Sequence, residues 1–217
     1  DYTLKSMELL SSKVTSPVLK ADCSNLVSIV YFRLSDFVNA LEYSKMSLSI
    51  ARELADRERM SYALNTIAGI SLASRQPAEG EKYVLEAIKI CEEQHDSVKL
   101  SVRLGMASEI YHAMGRDEES LEYARRGYDV SMQLGSPDKA AVRLVQMAAA
   151  SNSLGRLEEA EKCLREAIPV LEQCGNLQSW AIAGNQMGDI MLEKGDSASA
   201  ACYFEKSLKV FESRGDA

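Results

Sequence analysis

The chain has 217 residues, 46% hydrophobic and 26% charged, with 32 acidic against 25 basic side chains and a net charge of −7. That composition is globular rather than disordered, and an acidic average with no lysine- or arginine-rich stripe would repel a phosphate backbone, which argues against direct nucleic-acid binding. No apolar run approaches the roughly 18 to 20 residues of a membrane-spanning helix, and "DYTLKSMELL" lacks the basic start and apolar stretch of a secretory signal.

Taken in order, residues 1–15 match the second helix of a hairpin whose first helix is missing, which predicts an excerpt of a longer protein. Apolar residues at three- and four-residue steps then predict first helices near 17–33, 57–74, 97–114, 137–154 and 177–194. Second helices are predicted near 36–54, 77–94, 117–134, 157–174 and 197–214. Repeat boundaries follow at 16–55, 56–95, 96–135, 136–175 and 176–217, all within a single repeat domain 1–217. No segment alternates with period two, so no strand is expected. Ser16-Pro17 and Ser136-Pro137 place a capping hydroxyl before a proline, and Gly135, Gly175 and Gly215 stand where a helix should end. Pro169 falls inside a second helix and cannot donate to the carbonyl of Arg165, which predicts a kink near 165–169.

The period is forty residues. Ser35, Arg75, Gly115, Gly155 and Gly195 occupy one turn position, where the chain must reverse and glycine is favoured; Ser35 and Arg75 would adopt the same conformation at a cost of about 1 kcal/mol. Ala40, Gly80, Ser120, Ala160 and Ala200 form a small column, and Ser47, Ala87, Gly127, Ala167 and Ser207 another. Leu48, Ile88, Tyr128, Ile168 and Leu208 form a large one beside it, while Tyr43, Tyr83, Tyr123, Cys163 and Tyr203 share a fourth. Alternating size in this way lets helices approach closely and fill the adjoining groove.

Little here speaks of chemistry. Five cysteines, Cys23, Cys91, Cys163, Cys174 and Cys202, lack paired spacing and are expected to be free and buried, which favours a reducing, cytoplasmic compartment, with a periplasmic sensor arm as the alternative. Cys91 and His95 stand four apart, but no second pair completes a four-ligand metal site. His112 is the one other histidine, and no spacing supplies it with triad partners. "RLEEAEK" and "RDEES" read as charged helix starts, and no GxxxxGK[ST] or GxGxxG element is present to hold phosphates. The expectation is a non-enzymatic chain without cofactor or metal.

"IYHAMGRDEESLEYARRG" and "AAASNSLGRLEEAEKCLREA" resemble the tetratricopeptide repeat: a tyrosine or its substitute, a glycine turn, then small, large and small residues down the second helix. The early tryptophan of that pattern is replaced by Leu64, Leu104, Leu144 and Gly184, and the repeat is 40 rather than 34 residues. The chain is therefore similar to the long-repeat branch: kinesin light chains, peptide-binding polarity adaptors, and the sensor arms of bacterial regulators. The resemblance implies an all-α, right-handed solenoid of five helix pairs plus a leading helix, with first helices lining a concave groove that binds a peptide or partner protein.

On that arrangement the groove residues are Asn25, Asn65 and Asn185, with Thr66, Gln146 and Gln186 beside them. A carboxamide both donates and accepts, so such a row can hold a peptide backbone whatever its side chains; Gly105 and Val145 interrupt it. Tyr62, Met106, Glu109, His112, Asp189 and Glu193 surround the row, their acids favouring a basic or mixed-charge ligand. The implied function is a scaffold or sensory region of a bacterial signalling or transcription regulator. A small-molecule sensor with an apolar pocket, and a structural spacer that forms a homodimer through its end helices, are the alternatives.

Overall fold

The computed structural model describes residues 16–214, so the expectation for 1–15 and the helix stop at Gly215 lie outside the described residues. Ten helices and no strand make up that span. They are α1 (Pro17–Arg33), α2 (Phe37–Glu53), α3 (Arg57–Ala73), α4 (Pro77–Glu93), α5 (Ser97–Ala113), α6 (Asp117–Gln133), α7 (Pro137–Ser153), α8 (Leu157–Gln173), α9 (Leu177–Glu193) and α10 (Ser197–Arg214). Each falls within one or two residues of its predicted bounds.

A twenty-residue unit underlies the forty-residue period. Each of α1 to α9 has 17 residues, and only three separate it from the next. At the end of α1, Ser35 N–H donates to Phe32 and Asp36 N–H reaches back to Tyr31, the paired bonds of a Schellman stop. Asp36 then caps α2, its Oδ1 accepting from Asn39 N–H at 3.2 Å. One residue closes a helix and opens its successor.

The stop requires positive φ at the residue before the cap. Glycine supplies it at Gly115, Gly135, Gly155, Gly175 and Gly195, but Ser35, Ala55, Arg75 and His95 adopt it too, with φ between 52° and 59°. Ser35 and Arg75 behave as expected; Ala55 and His95 add the second-helix ends. All four are exposed, so glycine there would relieve backbone strain without removing contacts. Each single glycine substitution is expected to stabilise the chain by about 1 kcal/mol. An unchanged or lower urea midpoint would refute this.

The caps differ from expectation. Ser16 accepts weakly from Leu19 N–H at 3.5 Å, whereas Ser136 makes no side-chain cap bond and caps through its backbone carbonyl, which accepts from Ala140 N–H at 3.0 Å. Aspartates do most of the capping: Asp56, Asp96 and Asp196 each accept from the N–H three residues on at 3.0 to 3.1 Å. Hydrogen bonds from Lys99 hold the Asp96 carboxyl below its usual range, and the backbone N–H of Arg59 does the same for Asp56. A depressed folded-state pKa contributes stability that is present above the unfolded value, near 4, and is lost as pH falls through the folded value. Asp96→Ala is accordingly expected to cost about 1 kcal/mol at pH 7 and much less at pH 2, by urea denaturation at both pH values. Equal losses would show that capping is not the cause.

The helices form two compact units divided between Met114 and Gly115, a border inside the turn of the 96–135 repeat. In the first, consecutive helices α1 to α5 pack as antiparallel hairpins, and α1, α3 and α5 also touch one another directly as a row. In the second, α6 to α10 pack in chain order and α7 meets α9.

The small columns are buried throughout, from Ala40 to Ala200 and from Ser47 to Ser207. Gly80 shows why: a Cβ there would lie 3.2 Å from the Ala68 carbonyl, Ser71 and Ile110, so α4 rests directly on its neighbours. The large column fades along the chain. Leu48 and Ile88 are buried, Tyr128 and Ile168 half-buried, and Leu208, on a face of α10 that no described helix covers, is 53% exposed. At the former tryptophan column Leu64, Leu104 and Leu144 fill the core. Pro169 leaves α8 assigned as one helix; Pro169 and Arg165 are both exposed, which places the missing bond on the solvated side.

All five cysteines are free, but only Cys23 and Cys91 are buried. Cys163 is half-buried, and Cys174 and Cys202 are exposed, because Cys174 is the C-cap of α8 and Cys202 lies on a solvated face of α10. Cys91 and His95 do not share a helix face either: α4 ends at Glu93, and His95 sits exposed in the turn while Cys91 is enclosed.

Candidate binding face of the first helices

In the first unit the row α1, α3, α5 carries the densest polar chemistry. Arg59 ties α3 to α1 through a bidentate pair, Nε to Asp22 Oδ1 at 2.8 Å and Nη2 to Asp22 Oδ2 at 2.9 Å, and its Nη1 reaches Asp56 at 2.6 Å. One repeat on, Lys99 ties α5 to α3 through Glu58 at 3.0 Å and also holds the cap of its own helix, Asp96, at 2.6 Å. The paired carboxylates raise the Lys99 ammonium and the Arg59 guanidinium above their ordinary ranges. Such bonds set helix spacing more than they add stability at this degree of exposure.

Between these ties lies Tyr62, 46% exposed. Two cations of α5 attend its ring, Lys99 Nζ at 5.4 Å and the Arg103 guanidinium carbon at 5.5 Å from the centroid. A hollow of about 290 Å³ opens beside it, lined by Asp22, Asn25, Leu26, Ser47, Arg59 and Tyr62. Asn25 and Asn65 hold equivalent positions on α1 and α3. Each is half-buried, and each has an enclosed Oδ1 with no hydrogen-bond partner among the described residues.

Of the other expected residues on this unit, Thr66 donates to the Tyr62 carbonyl at 3.0 Å. Met106 approaches Gly69 of α3, whose Cβ would stand 3.5 Å from Met106 Cε; Glu109 and His112 are exposed on α5. In the second unit Gln146, on α7, accepts from Arg143 at 2.6 Å. Asn185 and Gln186 are half-buried on α9, the latter with an enclosed Oε1 lacking a partner among the described residues, while Asp189 and Glu193 are exposed. The expected residues thus fall on both units, seven on the first and five on the second.

Sequence reasoning missed Asp22, Arg59, Lys99 and Arg103. Arg103 had a signal: the forty-residue column Cys23, Ala63, Arg103, Arg143 and Ala183 is small and buried at Cys23, Ala63 and Ala183, so a guanidinium breaks the size rule, buried at Arg103 and half-buried at Arg143.

Larger hollows, about 430 Å³ against Phe37, Val38, Leu41 and Ile70 and about 370 Å³ against Tyr128, Leu144, Met147 and Cys163, lie elsewhere in the two units. The first is open rather than closed, with Val38 79% exposed. Among the described residues no group of three or more His, Cys, Asp or Glu is placed to hold a metal ion, and no helix is long and apolar enough to cross a membrane.

Residues 139–213 match the family model described as tetratricopeptide repeat, and residues 29–114 match that of anaphase-promoting complex subunit 5. No curated protein matches the sequence. Among solved structures, a Rap protein complexed with competence and sporulation factor aligns with a TM-score of 0.81 at 17% identity, over 95% of this chain and 57% of its own. A putative kinesin light chain with nearly identical TPR-like repeats from Podosopora anserina gives 0.71 at 13% identity, over 93% and 99%. A signal transduction ATPase with a tetratricopeptide repeat sensor from Pyrococcus horikoshii gives 0.78 at 16%, over 99% and 37%. The chain thus spans just over half the length of the Rap protein and about a third of the ATPase. At these identities the likeness is one of fold. Seventeen-residue helices paired on a forty-residue period, with small columns at the seams, give the chain the fold of a tetratricopeptide-repeat solenoid, and residues 139–213 match that family's model.

Proposed function

We propose that the chain is a non-enzymatic interaction module whose first helices bind an extended peptide segment of a partner protein. The observation that carries this reading is the pair Asn25 and Asn65: two half-buried carboxamides one repeat apart, each with a carbonyl unpartnered among the described residues. An enclosed acceptor without a donor is costly. A peptide backbone, which offers an N–H and a C=O at every residue, satisfies a carboxamide in either orientation. The likeness to the Rap protein bound to competence and sporulation factor, and to an ATPase with a repeat sensor, supports a sensory or scaffold arm within a larger regulator. Five free thiols suit a reducing, cytoplasmic setting.

The test is selection of a displayed random heptapeptide library on the wild-type chain, followed by affinities for Asn25→Ala/Asn65→Ala. Loss of one to two bonds per amide predicts a ten- to hundredfold rise in Kd. Selected peptides that bind the double variant equally well would remove the reading.

A further inference from the structure

We propose that the hollow between α6, α7 and α8 binds a free α-amino acid with an apolar side chain, a site separate from the peptide-binding row. The column Tyr43, Tyr83, Tyr123, Cys163 and Tyr203 gives the reason that the hollow exists. In the first unit Leu41, Leu48, Leu64 and Ile67 pack together with Tyr83. Two repeats on, the same positions are Leu121, Tyr128, Leu144 and Met147, but Cys163 stands where the phenol ring would be. A space of about 370 Å³ opens beside its short side chain.

The floor of that space is apolar: Leu121 and Leu144 are buried, and Tyr128, Met147 and Cys163 are half-buried. Its rim carries four exposed charges, Arg125 of α6 and Glu159, Lys162 and Glu166 of α8. Their fields meet at the thiol. Burial pushes Cys163 above the ordinary cysteine range, Glu166 and Glu159 push it further, and Lys162 and Arg125 oppose them. Yet none of the four is ion-paired with another described residue. Glu166 accepts from the Tyr128 hydroxyl at 3.3 Å.

The first unit has nearly the same charges, already engaged. Glu79 holds Lys82 at 2.9 Å, Lys82 lies 5.0 Å over the Tyr83 ring, and Glu86 holds Arg52 at 2.8 Å. At the hollow a ligand supplies the missing partners. Its carboxylate meets Arg125 and Lys162, its ammonium meets Glu159 or Glu166, and its side chain covers Leu121, Leu144 and Met147 in place of the ring. A ligand of one charge leaves either the acids or the bases unanswered, so the rim favours a zwitterion. The volume lies near the lower end for small-molecule sites, which suits a molecule the size of leucine, methionine or phenylalanine.

Isothermal titration calorimetry with these three amino acids is expected to show saturable binding at millimolar concentration or below, with the Met147 methyl and Tyr128 ring resonances shifting in step. Glycine, which lacks the apolar body, and N-acetyl-leucine amide, which lacks the charges, are expected to bind at least about tenfold more weakly. Cys163→Tyr should fill the hollow and abolish the response while keeping the helical circular dichroism; Cys163→Ser should bind as the wild-type chain does. Should Cys163→Tyr fail to fold, Arg125→Gln/Lys162→Gln changes only exposed side chains. That variant is expected to weaken leucine by at least about tenfold and to leave leucinamide, which has no carboxylate, unchanged. No saturable binding of any of the three, or N-acetyl-leucine amide binding as tightly as leucine, overturns the proposal. Leucine bound equally well by a folded Cys163→Tyr, or by Arg125→Gln/Lys162→Gln, overturns it too. The peptide reading rests on Asn25 and Asn65 and stands or falls separately.

Discussion

Leu164→Ala is expected to destabilise the second unit by about 3 kcal/mol, the middle of the range for a leucine truncated at a fully enclosed site. Leu164 has no accessible surface and stands at the centre of a cluster formed by α7, α8 and α9, among Leu144, Val145, Leu171, Met187 and Ile190. Five of the other buried members of that cluster are alanines, Ala141, Ala148, Ala160, Ala167 and Ala183. Alanine has no rotamers with which to move into a void, and the helices it spaces cannot close further without backbone clash. The cavity should therefore stay open and cost nearly its full value. Urea denaturation gives the loss, and hydrogen exchange should place it in α7 to α9, since repeat units depend on their neighbours. Leu164→Met, which conserves volume, should cost under about 1.5 kcal/mol. A loss below about 1 kcal/mol for Leu164→Ala would mean that the seam relaxes and that the small columns do not fix helix spacing.

The architecture was legible because its determinants are local and repeat. Side-chain size at Ala40, Gly80, Ser120, Ala160 and Ala200 has one physical reading, close helix approach, and all five are buried. The turns were legible only where glycine marked them. Ala55 and His95 adopt the same positive φ, because the Schellman bonds and the following cap fix the backbone there whatever the side chain, at a modest cost. Ser-Pro marks a helix start by its proline, whereas Asp36, Asp56 and Asp96, as regularly spaced from the turns, cap their helices without one.

The site was harder to read, for a different reason. Periodicity shows which positions recur on the row of first helices, such as Asn25, Tyr62 and Asn65, none of which is fully buried. It says nothing of how charges pair across helices. That Arg59 is spent on Asp22 and Asp56, and Lys99 on Glu58 and Asp96, follows from the relative height of α1, α3 and α5, a tertiary quantity. Only that pairing leaves Arg103 without an acid among the described residues of the row. The acidic character of the row, taken alone, suggested a basic or mixed-charge ligand where one residue of opposite preference is buried beneath it.

A buried charge kept without its counter-charge should lower stability, and this gives the second large effect. Arg103→Met is expected to raise unfolding free energy by about 1 to 4 kcal/mol, the span seen when buried ionic groups give way to apolar side chains of similar volume. Methionine is flexible enough to occupy the space under Tyr62, and the two 3.4 Å contacts to Ser61 that it gives up are weak. Tyr62 loses one cation from its ring but keeps Lys99 at 5.4 Å. Equilibrium urea unfolding at pH 7 measures the change. If Arg103→Met is instead destabilising by more than about 1 kcal/mol, the guanidinium is held by the fold for its own sake. A gain in stability would identify Arg103 as a position where the fold holds a charge at a cost to its own stability.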